Sequence, residues 1–187
     1  MTLFINACVR RDSRTERLAR CLLEALGEPF EELRLEDCDF PRVTEEFLLR
    51  RELLVSSGQT HDPLLKYAVQ FAKADEIVIA APFWDLSFPA SLKAYLEQVN
   101  VVGVTFRYGA SGIPQGLCSA GKLWYVTTAG GLVFPADFGF GYVKALAGNF
   151  YGIDDVELIK GLGLDMEGAP AEEMLREREE DIRRRVL

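Results

Sequence analysis

Residues Ile77-Val78-Ile79-Ala80-Ala81 form an apolar run with no polar alternation, and the run stops abruptly at Pro82. A strand of that composition has to be covered on both faces, the condition of a central strand in a parallel sheet. Two prolines then bracket a short aromatic stretch, Pro82-Phe83-Trp84-Asp85-Leu86-Ser87-Phe88-Pro89. Beyond it Leu92, Tyr95, Leu96 and Val99 recur at helical spacing, which predicts a helix over 90–100 with one buried face. The aromatic loop therefore leaves the carboxyl end of a central strand, where open α/β sheets bind ligands. Exposing Phe83 and Trp84 there is costly unless something flat covers them.

The rest of the chain repeats this strand-then-helix alternation. Leu3–Cys8 is a first strand, followed by the polar stretch Val9–Arg14 and a helix with Leu18, Cys21, Leu22 and Ala25 on one face, closed by Gly27. Phe30–Leu35 alternates apolar with charged residues and reads as a half-exposed edge strand. Residues 36–62 read as irregular or helical with a charged face, and His61-Asp62-Pro63 as the cap before a helix over 63–74. After the helix at 90–100 come Val104–Gly109 and a Gly-rich excursion through Gly112, Pro114, Gly116 and Gly121. Leu123–Thr128 is the fourth strand and ends in Ala129-Gly130-Gly131. An aromatic loop at 132–141, a helix at 142–150, a strand at Val156–Ile159 and a helix opened by Pro170 complete the chain. In that last helix Glu172 and Glu173 at the start and Arg183–Arg185 at the end match the helix dipole, so the arginines read as a solvated face. Five alternations predict a single α/β domain over 1–187, a doubly wound five-stranded parallel sheet of flavodoxin-like strand order 2-1-3-4-5. Its switch point makes the loops after strands 1, 3 and 4 converge.

Composition removes several classes of function. A net charge of −8 argues against a nucleic-acid footprint and against anionic membrane surfaces, while leaving room for one local basic pocket. No apolar run approaches membrane-spanning length. The four cysteines form no CxxC pair, and a single histidine, His61, removes His-rich metal sites, so no metal is expected. Met1–Ile5 enters a strand with no charged leader, so the expected location is cytoplasmic, with reduced thiols.

The three convergent loops differ in chemistry. The first carries no Gly fingerprint; it has Arg10, Arg11, Ser13, Arg14 and Thr15 just before a helix. Hydroxyls, backbone amides and the positive dipole end make an anion site there, with Ser13 and Thr15 as the candidate donors to phosphate oxygens and the arginines neutralising charge. The alternative is an ordinary N-cap at Ser13 with solvated arginines. The second, Pro82–Leu86, offers an aromatic wall and backbone N–H groups. The third, Thr128-Ala129-Gly130-Gly131, either lets backbone approach a ligand edge or is a plain tight turn. A phosphate site, an aromatic wall and a glycine edge together suit FMN.

On these residues the chain resembles the flavodoxin-like FMN-dependent NAD(P)H:quinone reductases and azoreductases. The resemblance runs from about residue 2 to about 165. It is most specific in Ala81-Pro82-Phe83-Trp84 with Pro89–Tyr95, in Gly103–Tyr108, in Thr127–Gly131 and in Phe150–Ile153. It implies that Ser13, Arg14 and Thr15 hold the FMN phosphate, that Pro82, Phe83, Trp84, Asp85 and Leu86 run beside the ribityl chain and ring, and that Thr128, Ala129, Gly130 and Gly131 meet the pyrimidine edge. Phe106, Tyr108 and Phe150 match positions that wall the substrate side, and Tyr108 is the weak candidate for a proton donor. The implied activity is a ping-pong cycle taking a hydride from NAD(P)H and reducing quinone or azo acceptors by two electrons, in a homodimer with the flavin near the subunit interface.

The chain also departs from that family. Asp85 stands where many members have Asn, and Ala129 where many have Arg. A carboxylate near the flavin N1–O2 edge would disfavour the anionic reduced ring and lower its potential; alternatively Asp85 points to solvent or caps the next helix. The segment from Leu132 to Tyr142 is shorter than the usual azoreductase insertion. Two rivals stand beside the enzyme reading: a flavodoxin-like electron carrier that turns over no small molecule, and a phosphate-binding α/β domain without flavin.

Overall fold

The structure is a computed structural model, and it describes residues 1–186. Five parallel strands form one sheet: β1 (Thr2–Asn6), β2 (Phe30–Arg34), β3 (Glu76–Ala80), and the two later strands Lys122–Thr128 and Asp155–Gly161. In spatial order the second strand of the sheet lies at one edge, then the first, third, fourth and fifth, the order expected from sequence.

The helices cover both faces. They are α1 (Arg14–Leu26), α2 (Glu45–Ser56), α3 (Lys66–Lys73), α4 (Ala90–Val99), α5 (Phe140–Leu146) and α6 (Ala171–Val186). Strand pleating divides the core between them. Ile77 and Ile79 of β3 pack with Leu92, Tyr95 and Leu96 of α4, while Val78 and Ala80 pack with Leu18 and Leu22 of α1. All four β3 side chains are fully buried, which is why the run tolerates no polar alternation. The edge strand β2 is exposed in its first half, as its alternation implied.

Tertiary contacts shift several boundaries. The helix expected over 63–74 begins as a 3-10 turn, Pro63–Leu65, with Asp62 accepting from the Leu64 N–H at 2.9 Å. The helix expected at 142–150 is α5 followed by a π turn, Ala147–Tyr151. The Gly-rich excursion folds into an antiparallel pair outside the main sheet, β4 (Phe106–Tyr108) with β5 (Pro114–Gly116). The fourth and fifth strands of the main sheet are therefore β6 (Lys122–Thr128) and β7 (Asp155–Gly161). A Cβ on Gly116 would lie 2.2 Å from Gly152 N and Tyr151 C, so the pair seats directly on the π turn. Arg184 in the last turn of α6 pairs with Asp181, which also pairs with Arg178 in the middle of that helix, as fits a solvated face. Among the described residues, no helix is long and apolar enough to cross a membrane.

Candidate functional site

A cleft of about 590 Å³ opens at the carboxyl ends of β1, β3, β6 and β7. It brings together Arg10, Ser13, Arg14 and Thr15 from the first loop, Pro82, Phe83 and Trp84 from the second, and Thr128, Ala129 and Gly130 from the third. Arg11, Asp12, Leu164 and Asp165 complete the lining. Three arginines against two aspartates leave the cleft locally basic in a chain of net charge −8.

The first loop is shaped by Asn6, which is fully buried at the end of β1. Its Oδ1 accepts from the Cys8 N–H at 3.0 Å while its Nδ2 donates to Glu32 Oε1 at 3.0 Å. Burial pushes the Cys8 thiol up to about 11, so it is protonated and inert at neutral pH. The chain then reaches Ser13, whose Oγ caps α1 by accepting from the Glu16 N–H at 3.2 Å. The N–H groups of Arg14 and Thr15 have no acceptor among the described residues and add to the positive end of the helix. Thr15 is 1% exposed, and its Oγ1 lies 2.6 Å from Thr128 Oγ1. Each hydroxyl carries one proton; the mutual bond uses one and leaves the other for a further acceptor. Arg14 is anchored too, donating from Nη1 to Asp165 Oδ1 at 2.6 Å and to Leu164 O at 3.2 Å.

The second loop is a tight turn. Trp84 and Ser87 exchange N–H···O bonds at 3.2 and 2.7 Å around Asp85 and Leu86, whose φ angles of 50° and 66° are both left-handed. Phe83 N–H donates to Thr128 O at 3.0 Å, so the amides of Phe83 and Trp84 are used within the fold. Expected as a source of free backbone donors, this loop offers chiefly its aromatic rings to the cleft. Phe134 packs on Phe83 at 4.9 Å between centroids, and Ser87 Oγ donates to Phe138 O at 2.7 Å, which joins the loop to the segment after β6. Asp85 is exposed and lines no part of the cleft; α4 begins at Ala90, with Pro89 in the N-cap position and no side-chain cap.

In the third loop the Ala129 N–H donates to Gly161 O, and the Leu164, Asp165 and Gly163 N–H groups donate to Ala129, Gly130 and Gly131 O. The loops after β6 and β7 are thus zipped together. The N–H groups of Gly130 and Gly131 make no hydrogen bond among the described residues. A Cβ on Gly130 would come within 2.4 Å of Asp165 Oδ2, so Gly130 leaves room for that carboxylate.

Leu86 and Gly131, like Asp85, do not line the cleft. Phe106, Tyr108 and Phe150 cluster with one another, Phe106 lying 4.6 Å from Phe150 and 5.7 Å from Tyr108 between centroids, but none of them lines this cleft within the chain. Phe106 is buried and Tyr108 exposed. Leu164 and Asp165 were missed from sequence. The signal was present, since Gly161-Leu162-Gly163-Leu164-Asp165 also leaves the carboxyl end of a strand, but a glycine-rich run at a sheet edge reads equally as a turn. Among the described residues no group of three or more His, Cys, Asp or Glu side chains could hold a metal ion.

The chain matches the family described by its flavodoxin-like fold over residues 1–186. It is 36% identical over 184 residues to a protein of Clostridium perfringens named FMN-dependent NADH:quinone oxidoreductase, covering 94% of this chain and 92% of that one. A protein of the same name from Lachnoclostridium phytofermentans is 35% identical over 188 residues, covering 95% and 93%. Among solved structures, an azoreductase from Bacillus anthracis superimposes with a TM-score of 0.83 at 25% identity, covering 99% of this chain and 97% of that one.

Proposed function

The chain belongs to the family of flavodoxin-like fold, and from that premise we propose that it is an FMN-dependent oxidoreductase that uses NADH to reduce quinone or azo acceptors. The observation that carries the reading is one cleft in which a helix start with unpaired amides, an aromatic wall and the unpaired Gly130 amide meet.

The residues fit FMN. The free N–H groups of Arg14 and Thr15, the Ser13 hydroxyl, the leftover hydroxyl proton of the Thr15–Thr128 pair and the arginine cations suit a phosphate dianion. Phe83 and Trp84 line the cleft with aromatic rings suited to a planar ring, and the free amide of Gly130 suits a carbonyl or nitrogen acceptor on its polar edge. Bound in this cleft, FMN would supply the two-electron redox chemistry between NADH and the acceptor. The chain's own part is to bind, orient and shield. Phe134 against Phe83 narrows water access to the aromatic wall, and the Arg14–Asp165 pair bounds the anion end.

The same reading takes the protein as a homodimer. Phe106, Tyr108 and Phe150 then serve the substrate side from across a subunit interface, since within the chain they do not line the cleft. Four free cysteines accord with work in a reducing cytoplasm.

The test is steady-state oxidation of NADH by the FMN-loaded protein with a soluble quinone and, separately, an azo dye. Turnover with alternating-substrate kinetics is expected. Tight FMN binding without turnover would replace the enzyme with an electron carrier, and failure to bind FMN would overturn the reading altogether.

A further inference from the structure

The loop after β7 contributes a carboxylate to a cleft otherwise suited to an anion, and its geometry gives that carboxylate a purpose. We propose that Asp165 is a positioning residue that acts through Arg14, holding this guanidinium beside the start of α1 for a phosphate monoester; the proposal rests on the FMN reading. Arg14 Nη1 donates to Asp165 Oδ1 at 2.6 Å and to Leu164 O at 3.2 Å. Both Nη1 hydrogens are thereby used, and the three N–H groups on Nε and Nη2 remain for another oxyanion.

The anchor itself is rigid. Asp165 N–H donates to Gly130 O at 3.0 Å, Leu164 N–H to Ala129 O at 3.3 Å and Gly163 N–H to Gly131 O at 2.9 Å. The carboxylate lies against Gly130, where a Cβ would come within 2.4 Å of Oδ2. Arg14 is therefore tied to a platform fixed by three backbone bonds. A pair 39% and 65% exposed adds little to folding stability. Its value is pre-organisation: a guanidinium already held in place loses little freedom when it meets phosphate oxygens. The opposing effect is direct repulsion between Asp165 and a phosphate, and an Asn in its place separates the two, keeping an acceptor oxygen without the charge.

The experiment measures FMN and riboflavin dissociation constants by flavin fluorescence on apoprotein at fixed ionic strength. The proteins are wild type, Asp165→Ala, Asp165→Asn, Arg14→Ala and the Arg14→Ala/Asp165→Ala double variant. Asp165→Ala is expected to weaken FMN at least fivefold and riboflavin, which lacks the phosphate, less than twofold. Asp165→Asn should stay within twofold of wild type for both, and Asp165→Ala should add nothing for FMN once Arg14 is gone. Unchanged or tighter FMN binding by Asp165→Ala would make Asp165 a competitor and overturn the proposal. Equal losses for FMN and riboflavin, or additive losses in the double variant, would overturn it as well. A wild-type protein that binds neither flavin refutes the FMN reading itself and the proposal with it, an outcome distinct from the others.

Discussion

The hydroxyls of Thr15 and Thr128 lie 2.6 Å apart and join the first turn of α1 to the last residue of β6 across 113 positions of sequence. This contact makes two of the converging loops one unit, so a change at either residue reaches both the anion end and the glycine edge. It also alters what Thr15 can do. Its hydroxyl is part of a pair with a single proton to spare.

Thr15→Val should therefore lower stability as well as FMN affinity. Removing one partner leaves the other hydroxyl half-satisfied in a part-buried setting, a loss of about 1–3 kcal/mol. Urea unfolding of Thr15→Val, Thr128→Val and the double variant tests this. The double variant should lose clearly less than the sum of the singles. Additive losses would show that the two hydroxyls do not act as a pair.

Leu86 occupies the second left-handed position of the Trp84–Ser87 turn with φ 66° and is half exposed. Such a conformation costs an L-residue about 1–2 kcal/mol, against about 0.5–1 kcal/mol for the extra unfolded freedom of glycine. Leu86→Gly is expected to raise the unfolding free energy measured in urea by up to about 1 kcal/mol, and Leu86→Val to lower it. A Gly variant less stable than wild type would mean that Leu86 makes packing contacts worth more than the strain.

The parts of this molecule legible in its sequence are those governed by neighbours along the chain. β3 was readable because both its faces are covered, so apolar residues run on unbroken; Ser13 was readable because an N-cap is a local device. The β4–β5 pair was not readable. Gly116 looked like one more loop glycine, and the reason for it lies at Tyr151 and Gly152. Asp165 was lost in the same way, since its partners Arg14 and Gly130 are remote in sequence. Phe106, Tyr108 and Phe150 do form a cluster, but the sequence contained nothing to say that it lies outside the chain's own cleft.

Gly116→Ala tests the seat of that hairpin. The added methyl would meet backbone atoms at 2.2–2.3 Å, and backbone cannot swing aside as a side-chain tip can. A loss of roughly 3 kcal/mol is expected in chemical denaturation, at the upper end of ordinary overpacking. Since Phe150 lies within the π turn, the variant should also perturb any acceptor binding that depends on Phe106 and Phe150. A loss under about 0.5 kcal/mol would show that the hairpin lifts away freely.

Glu32 links acid stability to the shape of the first loop. Despite partial burial, which opposes ionisation, hydrogen bonds from Asn6 and Arg20 hold its carboxyl below the ordinary value of 4.5, with further help from the Arg20 and Arg34 charges. A carboxyl with a lowered folded-state value stabilises the fold while ionised. Its contribution is thus complete above about pH 4.5 and disappears as the pH falls through the folded-state value. Glu32→Gln should cost on the order of 1 kcal/mol at pH 7, because Arg20 and Arg34 lose a charged partner at a partly exposed site. The gap between variant and wild type should narrow as urea unfolding is repeated at pH values falling below 4.5 toward 3.5, since the unfolded chain then takes up a proton that the folded Glu32 resists. A gap constant from pH 7 to 3.5 would assign the effect to lost packing instead of lost charge. The same Asn6 amide that donates to Glu32 also accepts from Cys8 N–H, so acid should loosen the turn toward Ser13. Amide exchange at Cys8, referenced to global unfolding at each pH, should accelerate over the same acidic range in the wild type and show no such step in Glu32→Gln.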